Sequence, residues 1–162
     1  MTRKNMLLGG VLAAVAFPGL ALGNCLRPAE ATAFDVRALQ SQLMVVALSC
    51  QQHDAYNAFV TRFQPQLGQA HTQVTAHFRR VAGRQGQRAM DQYITNLANN
   101  HMQEGIRQGS HFCQNQMPLF QQAMQARDLN DLARISTQAG LAQPLTYGAC
   151  LPAGQRQADA RR

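Results

Sequence analysis

FDVRALQSQLMVVALSCQQHDAYNAFVTRF, residues 34–63, is the stretch whose reading decides the fold. Val36, Leu39, Leu43, Val46 and Cys50 step by three and four residues, which puts them in one stripe of a helix. Met44, Val45, Ala47 and Leu48 widen that stripe until little polar face remains beyond Gln42. A helix that is apolar nearly all round has to be covered on several sides, so at least two further elements are expected to pack on it. Thr32 and Asp35, three apart, form a candidate capping box at its start. After a short polar turn Asp54 is a candidate N-cap for a second helix, with Tyr56, Phe59, Val60 and Phe63 along one face. A turn of that length folds the two helices back as antiparallel neighbours, so Leu43 and Val46 are expected to share a core with Phe59 and Phe63.

Downstream the helical period continues. Pro65 ends or kinks the second helix, and Leu67, Ala70, Val74, Phe78 and Val81 extend the apolar face to about residue 82. Gly83 and Gly86 bracket a turn. A helix over about 87–102 carries Met90, Ile94, Leu97 and His101 on one face, and Gly105 and Gly109 are expected in the loop after it. Ser110 is a candidate cap for a helix bearing Cys113, Met117, Phe120 and Met124, with Pro118 awkwardly inside it. Asp128, three residues before Asp131, opens a short last helix with Leu129, Leu132 and Ile135. No stretch alternates at period two. The expected fold is therefore all-α, a compact bundle of about five helices with two disulfides.

Upstream, Arg3 and Lys4 precede an apolar run from Met6 to Leu22, and Ala21-Leu22-Gly23 has the small residues of a signal-peptidase site. Residues 1–23 are expected to be a secretory signal peptide. The run is short and broken by Gly and Pro, which argues against a membrane anchor. Asn24 before Cys25 argues against a lipoprotein. The organisation expected is a signal peptide over 1–23, a helical domain over 24–139, and a loop-like, partly disordered tail over 140–162. The mature chain has 13 arginines, no lysine and 8 carboxylates, a net charge of +5. Its Gln-rich surface depends little on titrating groups, which would suit wide pH swings, and the base composition of the genome explains it about as well.

All four cysteines fall in the mature part, and an even count in an exported chain points to two disulfides. Of three connectivities, placement at helix ends favours Cys50–Cys113, leaving Cys25–Cys150 to tie the two tails. None of the spacings resembles a zinc clip.

The strings LQSQLMVVALSC and YNAFVTRFQP resemble a stretch found in small exported bacterial proteins without an assigned activity; the resemblance spans about residues 34–82. It implies a helical exported domain with a bridge at Cys50 and transfers no catalytic residue.

The residues give little chemistry. His53, His71, His77, His101 and His111 include no i, i+4 pair, and the mature chain has two glutamates, Glu30 and Glu104, too few for a di-iron bundle. These histidines are expected at the surface or half buried. No serine lies in a GxSxG context. Expected are no catalytic residue, no metal and no cofactor. Arg79, Arg80, Arg84 and Arg88 form the one charge cluster, a candidate patch for an anionic partner if it is more than a solvated helix end. Nucleic acid does not suit an exported chain without a recognition motif, and no membrane span is expected once the signal is removed. Three functions remain: a non-catalytic periplasmic or secreted protein that binds a protein partner in the envelope or supports stress resistance; an immunity or inhibitor protein against an envelope-acting enzyme; and a helical cofactor-binding enzyme built on the histidines.

Overall fold

The computed structural model describes residues 25–145 and 147–150. They form an all-α bundle of six helices: α1 Pro28–Ser49, α2 His53–Arg62, α3 Gln64–Ala82, α4 Gly86–Gln108, α5 Phe112–Met124 and α6 Leu129–Gln138. Three-residue 3-10 turns at Gly83–Gln85 and Gly109–His111 lead into α4 and α5. The predicted signal peptide lies outside the described residues, as does the tail beyond Cys150. Among the described residues no helix is long and apolar enough to cross a membrane.

α1 is the hub, touching each of the other five α-helices. Phe34, Leu39, Leu43 and Val46 are exposed by 1% or less, so the nearly all-round apolar pattern is used on every side. Phe59 and Phe63 join the same core cluster as Leu43 and Val46. Each such large apolar side chain contributes roughly 1.5–3 kcal/mol on burial. α3 runs antiparallel to α1, with Arg80 reaching Glu30 and the Phe78 ring 5.8 Å from that of Phe34. α4 runs parallel to α1, in register through Phe34–Tyr93 (5.0 Å between rings) and Ser41–His101 (3.1 Å).

Several helix ends differ from the sequence expectation. α1 starts at Pro28, ahead of the Thr32–Asp35 box. Proline suits a first turn because its missing N–H is one that no helix bond needs. The Glu30 carboxylate accepts the Arg27 N–H at 2.9 Å, while the Thr32 hydroxyl donates back to the Pro28 carbonyl. At the other end Gln51 is left-handed (φ 57°) and the Gln52 N–H bonds the Ala47 carbonyl at 2.9 Å. That closure resembles the usual glycine-ended one, with glutamine in its place. The reversal is complete by Gln52, so α2 opens at His53 and Asp54 falls inside its first turn. α2 and α3 abut at Phe63, which ends one and starts the other. α4 continues past Met102 to Gln108, so Gly105 is helical rather than in a loop. A Cβ at Gly105 would sit 3.3 Å from the Phe112 ring, which explains its small side chain. Ser110 lies within the 3-10 turn and caps nothing. Asp128 does cap α6, accepting from the Asp131 N–H at 2.9 Å. Gly86 sets the closest approach of α4 to α3: a Cβ there would meet the Phe78 carbonyl at 2.9 Å.

The chain after α6 is not helical, yet it packs. Leu141 and Leu145 lie on the core, and Leu26 and Ala149 form an isolated parallel bridge. Both disulfides form as expected, Cys50–Cys113 and Cys25–Cys150. Residues 141–145 and 147–150 thus make a strap laid over α1, α3 and α4 and bonded covalently to the start of the domain.

Candidate functional site

Two of the five histidines are fully buried, contrary to expectation: His77 is 0% and His101 1% exposed. Both lie under the strap. His77 comes from α3, one residue before the core Phe78 and three before Arg80, so the helical turn that buries Phe78 also turns His77 inward. It meets Glu30, which the Pro28 start places in the first turn of α1.

Glu30, His77 and Arg80 form a closed knot. Arg80 donates from Nε to Glu30 Oε1 at 3.2 Å and from Nη2 to Oε2 at 2.6 Å. The same Nη2 reaches the Cys25 carbonyl at 2.8 Å, beside the bridge to Cys150. His77 Nδ1 lies 3.2 Å from Glu30 Oε2. A proton on Nδ1 makes that contact a charge-assisted hydrogen bond; a proton on Nε2 would set a lone pair against the carboxylate. Arg80 Nη2 also lies 3.2 Å from Nδ1, but its two hydrogens serve the Cys25 carbonyl and Glu30 Oε2 at shorter distances, so the Nδ1–H tautomer is favoured and Nε2, an acceptor, is buried without a hydrogen-bond partner among the described residues. The ring is held edge-on to Phe34 at 5.1 Å, with Tyr147 of the strap 5.1 Å away.

Burial alone would push the Glu30 carboxyl up, but hydrogen bonds from Arg80, the Arg27 N–H and His77 outweigh it and hold the group below its ordinary value. Burial pushes His77 down, only partly offset by the Glu30 hydrogen bond. The knot therefore holds one anion, one cation and a neutral imidazole.

His101 is held in the same manner. Its Nε2 lies 3.2 Å from the Ala142 carbonyl, which can only accept, so Nε2 carries the proton. Nδ1 then accepts from the Ser41 hydroxyl at 3.1 Å. Burial depresses this imidazole as well, against the smaller opposing effect of the Ala142 bond. Gln143, next in the strap, donates to the Phe34 carbonyl at 2.7 Å and accepts from the Tyr93 hydroxyl at 3.1 Å. These polar groups bind the strap, and each is occupied by a neighbour.

The arginine cluster divides. Arg80 turns in to Glu30, with its side chain 19% exposed. Arg79, Arg84 and Arg88 are exposed around the turn from α3 to α4, and among the described residues none has a hydrogen-bond or ion-pair partner. Glu104 is tied to Arg107 and Gln108 on the surface, and among the described residues no group of three or more His, Cys, Asp or Glu could hold a metal. Between α5 and α6 an open polar cleft of about 670 Å³ is lined by Gln122, Gln125 and Gln138, with Asp131 held by Arg127 and Arg134. The sequence reading missed Glu30 and the strap contacts. The Pro28–Glu30 helix-start signature was available to locate Glu30; nothing local announced Gln143 or Tyr147. Comparison with family models, with curated proteins and with solved structures finds no match.

Proposed function

We propose that the mature chain is a non-catalytic, exported helical protein of the periplasm or the extracellular space that binds an acidic protein partner through its arginine corner. The observation that carries this reading is the exposure of Arg79, Arg84 and Arg88 about one tight turn, with no acid among the described residues to pair them. Gly86 fixes that turn by the close approach of α4 to α3, so the three charges are displayed on a rigid edge. Unpaired like charges at the surface add little to stability and steer acidic partners to the patch. Two disulfides support an oxidising compartment, and the resemblance over residues 34–82 supports export. The knot and the His101 pair bear on the strap, which favours a structural role for the groups that would otherwise suggest catalysis.

The experiment is capture from envelope extract by the oxidised mature protein and by a variant carrying Arg79→Gln, Arg84→Gln and Arg88→Gln. An acidic partner lost in the variant, and weakened as salt shortens the Debye length, is the expected result. Stoichiometric capture of one acidic enzyme with loss of its activity gives the inhibitor form of the reading. Equal capture by parent and variant removes the arginine corner from the function.

A further inference from the structure

α1 and α4 run side by side, and the seam between them has two edges. The strap closes one, bonding His101 through Ala142 and Tyr93 through Gln143. At the other, the reversal at Gln51 folds α2 back on α1 and brings Tyr56, in its first turn, to the seam. A cavity of about 110 Å³ lies at this junction, lined by Arg37, Gln40 and Met44 of α1, Ile94 and Ala98 of α4, and Tyr56. Arg37 is half buried. Among the described residues its hydrogen-bond partner is the Gln40 side-chain oxygen, and no carboxylate lies within ion-pair distance. That bond uses one of the five guanidinium donors and occupies the Gln40 acceptor. Burial pushes Arg37 below its ordinary value, as expected of a cation with no anion beside it.

The remaining polar groups of the lining are of one kind. The Gln40 amide N–H groups and the Tyr56 hydroxyl have no hydrogen-bond partner among the described residues. Ser41, also in the lining, spends its hydroxyl hydrogen on His101. What is left free is therefore mostly donors, and the one formal charge in the lining is positive. The opposite side of the cavity is apolar, with Met44, Ile94 and Ala98. Water finds few partners on that side and is readily displaced by an apolar group. Size sets an upper bound. At roughly 30 Å³ each in the liquid, about four waters fill such a space. It is also smaller than the roughly 150 Å³ cavity that accepts benzene, so an aromatic ring bearing a carboxylate, or a chain of more than a few carbons, exceeds it.

We propose that the junction of α1, α2 and α4 binds a compact monocarboxylate of about four to six heavy atoms, its carboxylate on Arg37 and the Tyr56 hydroxyl and its small carbon end toward Met44, Ile94 and Ala98. The carboxylate supplies the missing counter-charge through a forked pair of hydrogen bonds. Three features select the ligand together. The unmatched cation favours an acid over an alcohol of the same size. The volume favours a small acid over a long one. The apolar side favours a carboxylate that carries carbon over a bare inorganic anion. The site shares no residue with the arginine corner, so it stands or falls independently of the protein partner.

The test is NMR titration of the oxidised mature protein with propionate, against propanol, octanoate and nitrate. The methyl resonances of Met44 and Ile94 report on the cavity, and that of the core residue Met90, outside the lining, is the reference. Propionate should bind one to one, at least about tenfold tighter than propanol, and shift Met44 and Ile94 but not Met90. Octanoate and nitrate should each bind more weakly than propionate. Arg37→Gln should bring propionate down to the affinity of propanol. Ala98→Leu, which fills the cavity and alters no charge, should abolish propionate binding. Equal affinity for propionate and propanol in the parent protein overturns the proposal, as does the absence of a saturable shift at Met44 and Ile94; neither readout needs a variant to fold. Octanoate or nitrate binding as tightly as propionate removes the selection by size or by the apolar side and overturns it as well. Loss of propionate binding on replacing Arg79, Arg84 and Arg88 places the anion at the corner and overturns it too.

Discussion

The two edges of the α1–α4 seam bury unlike chemistry. On the strapped edge the polar groups of the α1–α4 seam have found neighbours: Gln143 bridges Phe34 and Tyr93, and His101 is bonded at both ring nitrogens. On the other edge Arg37 is half buried beside a cavity, with the neutral Gln40 amide as its hydrogen-bond partner among the described residues. Both edges flank the same two helices. What differs is the second layer, since one edge is closed by chain returning from α6 and the other is bordered by Tyr56 of α2. Stability should therefore reside on the strapped edge, and tolerance of substitution on the other.

The largest effect expected is on the aromatic cluster beneath the strap. Phe34 packs edge-on against His77, Phe78 and Tyr93. Phe34→Ala should cost about 3–5 kcal/mol by denaturant or thermal melting with disulfides intact, and Phe63→Ala in the neighbouring hairpin a similar amount. Either variant melting like the parent contradicts the core described above. Next comes the strap's covalent tie. Replacing Cys25 and Cys150 together by Ser should cost about 2–5 kcal/mol. Their sequence separation is 125 against 63 for Cys50–Cys113, so losing this bridge should cost about 0.6 kcal/mol more than losing the other. The reverse order would mean that the strap is not held in place chiefly by its bridge.

Glu30→Gln leaves Arg80 without its anion. Because Arg80 keeps some solvent contact, the cost should lie toward the lower end of the usual range for a broken buried pair, about 3 kcal/mol. The pH dependence follows from the same groups. His77 and His101 are depressed below their ordinary value of 6.5. The unfolded chain then binds protons first, so the stability they confer is complete above about pH 6.5 and is lost as pH falls toward their folded values. Glu30, also depressed, adds a loss below its ordinary 4.5. Melting temperature should decline on acidification from neutral pH, and a flat profile to about pH 4 would remove the histidines from the stability of the strap. The pH tolerance suggested by a Gln-rich surface thus does not extend to the interior. The smallest effects belong to the exposed residues: Ile106→Gln on the outer face of α4 and Arg84→Ala on the corner should each change stability by about 0.5 kcal/mol or less. A loss well above that at Ile106 would show that face to be covered.

The sequence by itself determined the helices and their centre. The nearly continuous apolar pattern from Val36 to Cys50 required a helix covered on several sides, and α1 meets every other helix. Helix-end placement of the cysteines was enough to pair them, because a bridge needs two ends brought close. Asp128 was legible as a cap since capping is local, whereas the start of α1 was misplaced because Pro28 and Glu30 offered a competing signal of the same kind. Only the tertiary structure decided where the ionisable groups went. His101 was legible on the apolar face of its helix with Met90 and Leu97, but the partners that let both His77 and His101 be buried come from a strap more than forty residues away in the chain. Arg80 leaves its cluster for Glu30, and Arg37 ends up half buried in a cavity, through the packing of α3 and α4 on α1. Periodicity reports which face of a helix is apolar, while the partners of a polar group are set by long-range packing that no local pattern encodes.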